Sequence, residues 1–326
     1  MTTYGIVALF LALALPATAQ DLRIDTGEAD AVLSILSGGN EWPGLLAAEG
    51  YTRLKQRETS MGRAFTDDEF HAFVKSPALQ EKRDTIAATL REWKRADIES
   101  IGQRVRSYLP PEARLKATVY IVIKPQSNSF VYDVKSNPAI FLHLDPSKTR
   151  AQFENTVAHE LHHIGLSSLP DPTEPSLAPN VRAATEWLGA FGEGLAMLAA
   201  AGSPEIHPHR DSPPEDRARW DRDSKNLEQD MRAVEAFLIA VAKGDLDENQ
   251  RHEKGMSFFG IQGPCYTVGW RMAVTVEQAK GRAELLECMR DMRRLLLSYN
   301  DAPKAADLPQ WSEELLSAFR VSRRPL

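Results

Sequence analysis

Thr149-Arg150-Ala151-Gln152-Phe153-Glu154-Asn155-Thr156-Val157-Ala158-His159-Glu160-Leu161-His162-His163-Ile164-Gly165 is the stretch on which the fold turns. Thr149 followed three residues later by Gln152 is a capping box, which predicts a helix from about Arg150 to Ile164 that stops at Gly165. Inside it, His159-Glu160-Leu161-His162-His163 fits the HExxH pattern of zinc hydrolases. Residues four apart on an α-helix share a face, so His159 and His163 can offer two imidazole nitrogens to one ion while Glu160 stands beside it. Two ligands do not complete such a site, because a catalytic zinc needs a third protein ligand and one position open to water.

Upstream, three short runs rich in β-branched and aromatic residues predict a small sheet: Ala117–Ile123, Phe130–Val134 and Ala139–Leu144. Further upstream, from Asp21 to about Tyr108, the pattern is almost wholly helical. Thr66 with Glu69 is a second capping box, with Phe65 and Phe70 as its hydrophobic staple. Ser76-Pro77 opens a long helix whose apolar stripe is Leu79, Ile86, Leu90, Trp93, Ile101 and Val105, ending at Pro110-Pro111. Downstream, Asn180 can cap a helix from Val181 to about Ala201. After a polar loop from Gly202 to Pro214 a long helix reaches Lys243-Gly244, and others follow at about Pro264–Lys280, Arg282–Tyr299 and Trp311–Arg320. The expected architecture is α+β and predominantly α. It divides into a helical region at 20–115, the sheet with the motif helix and the next helix at 116–201, and a C-terminal helical region at 202–326.

Met1 to Ala19 carries no charged side chain, and Ile6–Leu15 is unbroken apolar sequence, too short to span a bilayer. Pro16 and the small-x-small run Ala17-Thr18-Ala19 complete a secretory leader, although no Lys or Arg precedes the apolar run. A mature chain beginning at Gln20 or Asp21, exported to the periplasm or the extracellular space, is therefore expected, with no stable membrane insertion after cleavage. A net charge of −6 argues against a nucleic-acid partner. Cys265 and Cys288 are the only cysteines; their spacing leaves a disulfide open in either direction.

Candidates for the third ligand lie after the motif. In Gly192-Glu193-Gly194 a carboxylate sits between two glycines inside a helical run, and a glycine in a helix interior costs roughly 1 kcal/mol relative to alanine. The pair implies that another backbone, such as the metal-bearing helix, must approach there, which favours Glu193. Glu186, two turns earlier on nearly the same face, is the rival. His162 reads as a packing residue, His207 and His209 as loop histidines that could still reach a metal, and His71 as structural.

The pair HELHH at 159–163 and GEGLA at 192–196 resembles the gluzincin zinc metallopeptidases, in which two motif histidines and a downstream glutamate bind zinc. More closely, the chain resembles a bacterial family of zinc-dependent peptidases known chiefly as a domain of unknown function. The shared features are the helical N-terminal half, the YLP segment at 108–110, the strand ending in FLHLDP, the helix HELHHIGL, and GPCYTVGWRM near the C-terminus. The resemblance implies a zincin-like core and one Zn2+ per chain held by His159, His163 and Glu193. Glu160 would be the general base and Tyr266 the oxyanion donor, with His252 the alternative donor. It also implies a peptide or protein substrate paired along the strand Ala139–Leu144. Two other readings are a zinc hydrolase of a non-peptide substrate and a non-catalytic periplasmic zinc-binding or assembly protein.

Overall fold

The computed structural model describes residues 21–170, 177–303 and 308–319. The expected leader, Met1 to Ala19, lies outside them. Its sheet has four strands, β1 (Asp21–Asp25), β2 (Lys116–Val122), β3 (Phe130–Tyr132) and β4 (Ala139–His143), in the order β1-β2-β4-β3. β1, β2 and β4 run parallel, and β3 is antiparallel to β4. β2 is apolar and buried along nearly its whole length, as a central strand covered on both faces must be.

Two features depart from the sequence-based expectation. Asp21–Asp25 is a strand rather than part of a helix, pairing with Lys116–Tyr120. Leu22 and Ile24 pack on the core, while Arg23 reaches Thr118 Oγ1 at 2.9 Å and Glu49 at 2.6 Å. Five residues are too few to show a period, and the partner strand lies 95 residues on. The strand at Ala139–His143 is also no sheet edge: β3 covers it, Phe130 opposite Phe141 and Tyr132 opposite Ala139, so the edge on this side is β3. The hairpin between them is held by Arg53, whose guanidinium donates to the Asn137 carbonyl at 2.5 Å and lies over the rings of Tyr120 and Tyr132.

Six helices join β1 to β2: α1 (Gly27–Leu36), α2 (Trp42–Ala47), α3 (Glu49–Ser60), α4 (Asp67–Val74), α5 (Pro77–Trp93) and α6 (Ile98–Arg106). The Thr66 capping box forms, with Phe65 and Phe70 stacked at 5.5 Å. The apolar stripe from Leu79 to Val105 is buried throughout, but it spans two helices, because the Asp97 carboxylate accepts from the amides of Glu99 and Ser100 and starts α6 afresh. The motif helix α7 (Arg150–Ser167) begins at the Thr149–Gln152 box and runs through Gly165 instead of stopping there. A Cβ at Gly165 would stand 2.3 Å from a Leu109 methyl, so this glycine serves packing and not termination.

Beyond α7 the regular elements of the described residues are helices: α8 (Pro179–Leu188), α9 (Gly192–Ala201), α10 (Pro214–Asp223), α11 (Leu227–Lys243), α12 (Glu248–Met256), α13 (Pro264–Lys280), α14 (Arg282–Arg290), α15 (Met292–Asp301) and α16 (Glu313–Ala318). Short 3-10 turns at Gly189–Phe191 and Ser224–Asn226 divide what the sequence reads as single helices. Asp291 likewise ends one helix and caps the next through the Arg293 amide. The helix α12, with its Asp247–Gln250 capping box, has no counterpart in the sequence reading.

Two apolar cores result. The first joins the sheet, α1 to α6 and one face of α7; the second gathers α8, α9, α11 and α13 to α16. Leu166 of α7 packs against both, so the motif helix lies along their seam. No helix among the described residues is long and apolar enough to cross a membrane.

Candidate metal centre

His159 and His163 stand one turn apart on α7, and Glu193 faces them from the first turn of α9. His159 Nε2 lies 3.1 Å from His163 Nε2 and 3.1 Å from Glu193 Oε2, and His163 Nε2 lies 3.2 Å from the same oxygen. Three donor atoms with these spacings form one face of a tetrahedron whose centre is about 1.9 Å from each corner, close to the ~2.0–2.2 Å of Zn–N and Zn–O bonds. Two imidazoles and a carboxylate are also the donor types zinc takes. The residues therefore fit the ion. Among the described residues this is the only cluster of three or more such side chains placed to hold a metal.

The electrostatics agree with the geometry. Burial alone would raise the Glu193 carboxyl, but hydrogen bonds and charge from His159 and His163 hold it well below the ordinary carboxylate range. Burial opposes charge on His163, and the hydrogen bond to Glu193 outweighs it and raises that imidazole. An anion is thus fixed where a cation would sit.

How Glu193 reaches this point is settled by α13. A Cβ on Gly194 would fall 2.0 Å from the Trp270 amide nitrogen and 2.2 Å from the Gly269 carbonyl carbon. One on Gly269 would meet the Phe191 carbonyl oxygen at 2.8 Å and Gly194 Cα at 3.3 Å. The two helices cross backbone on backbone, and neither position admits a side chain without moving its neighbour. Gly194 thus makes room for α13 and not for α7, the neighbour expected from the sequence, while Gly192 has only an ordinary contact at 3.8 Å with Leu166. Gly269 received no role from the sequence, where nothing marks it as the partner of Gly194.

The same crossing brings Tyr266, one turn before Gly269, over the motif. Its ring lies nearly parallel to that of His159, with centroids 6.4 Å apart, and burial and the charge of Glu193 push its hydroxyl up. Glu160 is half-buried and close enough for its charge to act on both His163 and Tyr266, outside the ligand cluster.

The other candidates fall elsewhere. Glu186 is exposed on α8, and the 3-10 turn at Gly189–Phe191 breaks the helical phase that would have aligned it with Glu193. His162 is fully buried, its Nε2–H donating to the Tyr108 carbonyl at 3.2 Å, and burial lowers its imidazole to about 3. His207 bonds Asp221 at 3.0 Å; His209 is held by Ser212 and Gln262. His252 is exposed on α12, and His71 packs against Trp42 with the two rings tilted by 47°. Cys265 and Cys288 are free, buried thiols, both pushed up to about 12 by burial.

Comparison with known proteins gave no match among curated proteins and none among solved structures. One family model matches, described as "Putative zinc dependent peptidase (DUF5700)", over residues 42–307. That span contains the motif helix, Glu193 and Tyr266 and covers most of the chain, which therefore belongs to this family.

Proposed function

We propose that the chain is an exported zinc peptidase that hydrolyses peptide bonds with Glu160 as general base. The observation that carries this reading is the convergence of His159 Nε2, His163 Nε2 and Glu193 Oε2 on one point. Zinc held there by His159, His163 and Glu193 would polarise the scissile carbonyl and lower the pKa of a water from 15.7 toward about 7. Glu160 accepts the proton as that water attacks the carbonyl carbon, and delivers it to the amide nitrogen as the C–N bond breaks. The Tyr266 hydroxyl, kept protonated by burial and by Glu193, donates to the oxygen on which negative charge develops. The open edge β3 offers unpaired backbone groups to an extended peptide. A site that served structure alone would be closed by a fourth protein ligand, and among the described residues the cluster holds three.

The reading is tested by metal analysis of the purified protein together with cleavage of a peptide library. About one zinc per chain and zinc-dependent cleavage are expected; a metal-loaded protein that cuts no peptide would point to a non-peptide substrate. Tyr266→Phe removes only the phenolic donor, and loss of one oxyanion donor costs about 3–4 kcal/mol when it is fully engaged. Turnover should therefore fall by about 10²–10³ with zinc content and melting temperature unchanged. Unaltered kinetics would return Tyr266 to a packing role. Export rests on the apolar run Ile6–Leu15 and the site at Ala17-Thr18-Ala19. Protein recovered from its cells should begin near Gln20 on N-terminal sequencing, whereas an intact cytosolic form starting at Met1 would refute it.

A further inference from the structure

A half-open cavity of about 220 Å3 lies among α3, α4 and residues 124–126, the segment that follows β2. Its apolar wall is Leu54, Phe65 and Phe70, the two rings roughly parallel to each other. Leu54 and Phe70 are buried and Phe65 is half-buried. The volume is below the ~300–1,000 Å3 of pockets that take drug-sized ligands, and suits one ring or one branched chain.

The polar side of the cavity holds Lys124, which is only 4 % exposed. Its ammonium donates to the Gln126 carbonyl and, at 2.7 Å, to Asn128 Oδ1. An ammonium has three N–H groups, so beyond these two acceptors one remains to donate, and the Phe130 ring centroid lies 5.6 Å from the same nitrogen. The carboxylates around it hydrogen-bond to other groups, although the charge of Glu58 still acts on the Lys124 amine. Glu58 pairs with Arg57 at 2.6 Å and Arg63 at 2.9 Å, and Glu69 closes the capping box with Thr66. Glu28 accepts from the Ile123 amide, and burial raises it to about 8. Burial correspondingly lowers the Lys124 amine to about 8.

We propose that this cavity binds a small apolar carboxylate, its ring or branched chain seated on Leu54, Phe65 and Phe70 and its carboxylate against the Lys124 ammonium, beside Arg63 at the rim. A free aryl or branched-chain acid and the C-terminal residue of a peptide share this chemistry. None of His159, Glu160, His163, Glu193 and Tyr266 lines the cavity, so binding here stands or falls apart from the zinc-peptidase reading.

The test is titration calorimetry of the full chain with 3-phenylpropionate, N-acetylphenylalanine and the amide of each. Saturable binding of at least one acid with Kd below about 1 mM is expected, about tenfold or more weaker for its amide and in Lys124→Met. Tighter binding of N-acetylphenylalanine would assign the site to a peptide C-terminus, and tighter binding of 3-phenylpropionate to a free acid. Should Lys124→Met melt early, Phe65→Ala, which removes only a half-buried wall ring, must show the same loss. No saturable binding of either acid up to about 10 mM, equal binding of acid and amide, or indifference to both variants overturns the proposal.

Discussion

Glu193→Ala is expected to abolish stable zinc binding and, with it, all activity, whereas Glu186→Ala should leave both intact. The carboxylate of Glu193 lies 3.1 and 3.2 Å from the two histidine nitrogens, while Glu186 is exposed on α8 beyond a break in the helix. Removing a residue that merely supports a ligand weakens metal binding by about 10–100-fold. Loss of one of the three proposed ligands should exceed that range, leaving two histidines that yield the ion to a mild chelator. Zinc stoichiometry after dialysis against such a chelator is the measurement. Zinc that survives Glu193→Ala and disappears in Glu186→Ala would reverse the ligand assignment while leaving a zinc site in place.

Glu160→Gln should keep the metal and lose turnover by about 10²–10⁴, the range general acid–base catalysis supplies. The amide keeps the shape and much of the hydrogen bonding of the carboxylate but cannot accept the proton of the attacking water. Glu160 stands next to His159 in sequence yet outside the three-residue cluster, so nothing in the geometry makes the metal depend on it. Single-turnover cleavage of a peptide substrate, measured with zinc content on the same preparation, separates the two effects. Release of zinc from this variant would make Glu160 a ligand or a fold element instead of a base.

Much of the site's first half was legible because its signals are local. The Thr149–Gln152 box that starts α7 and the four-residue spacing of His159 and His163 involve neighbours along one helix, where geometry follows from period alone. The Thr66 box with Phe65 and Phe70, and α13 from Pro264 to Lys280, were readable for the same reason. The preference for Glu193 rested on a mistaken cause. Two glycines around Glu193 signalled a close approach, but a glycine reports only that something is near, and the neighbour proved to be Gly269 of α13, not α7.

By itself the sequence determined the helix that carries the motif, the residue types available to a metal, the predominance of helix and the presence of a small sheet before the motif. Only the tertiary structure decided that Asp21–Asp25 completes the sheet, that β3 and not Ala139–His143 is its open edge, and that Glu193 rather than Glu186 meets the histidines. The division has one physical reason. Caps and helical faces are set by hydrogen bonds and side chains a turn apart, whereas a parallel strand partner 95 residues away and a backbone crossing at Gly194 and Gly269 depend on which surfaces the two cores bury against each other.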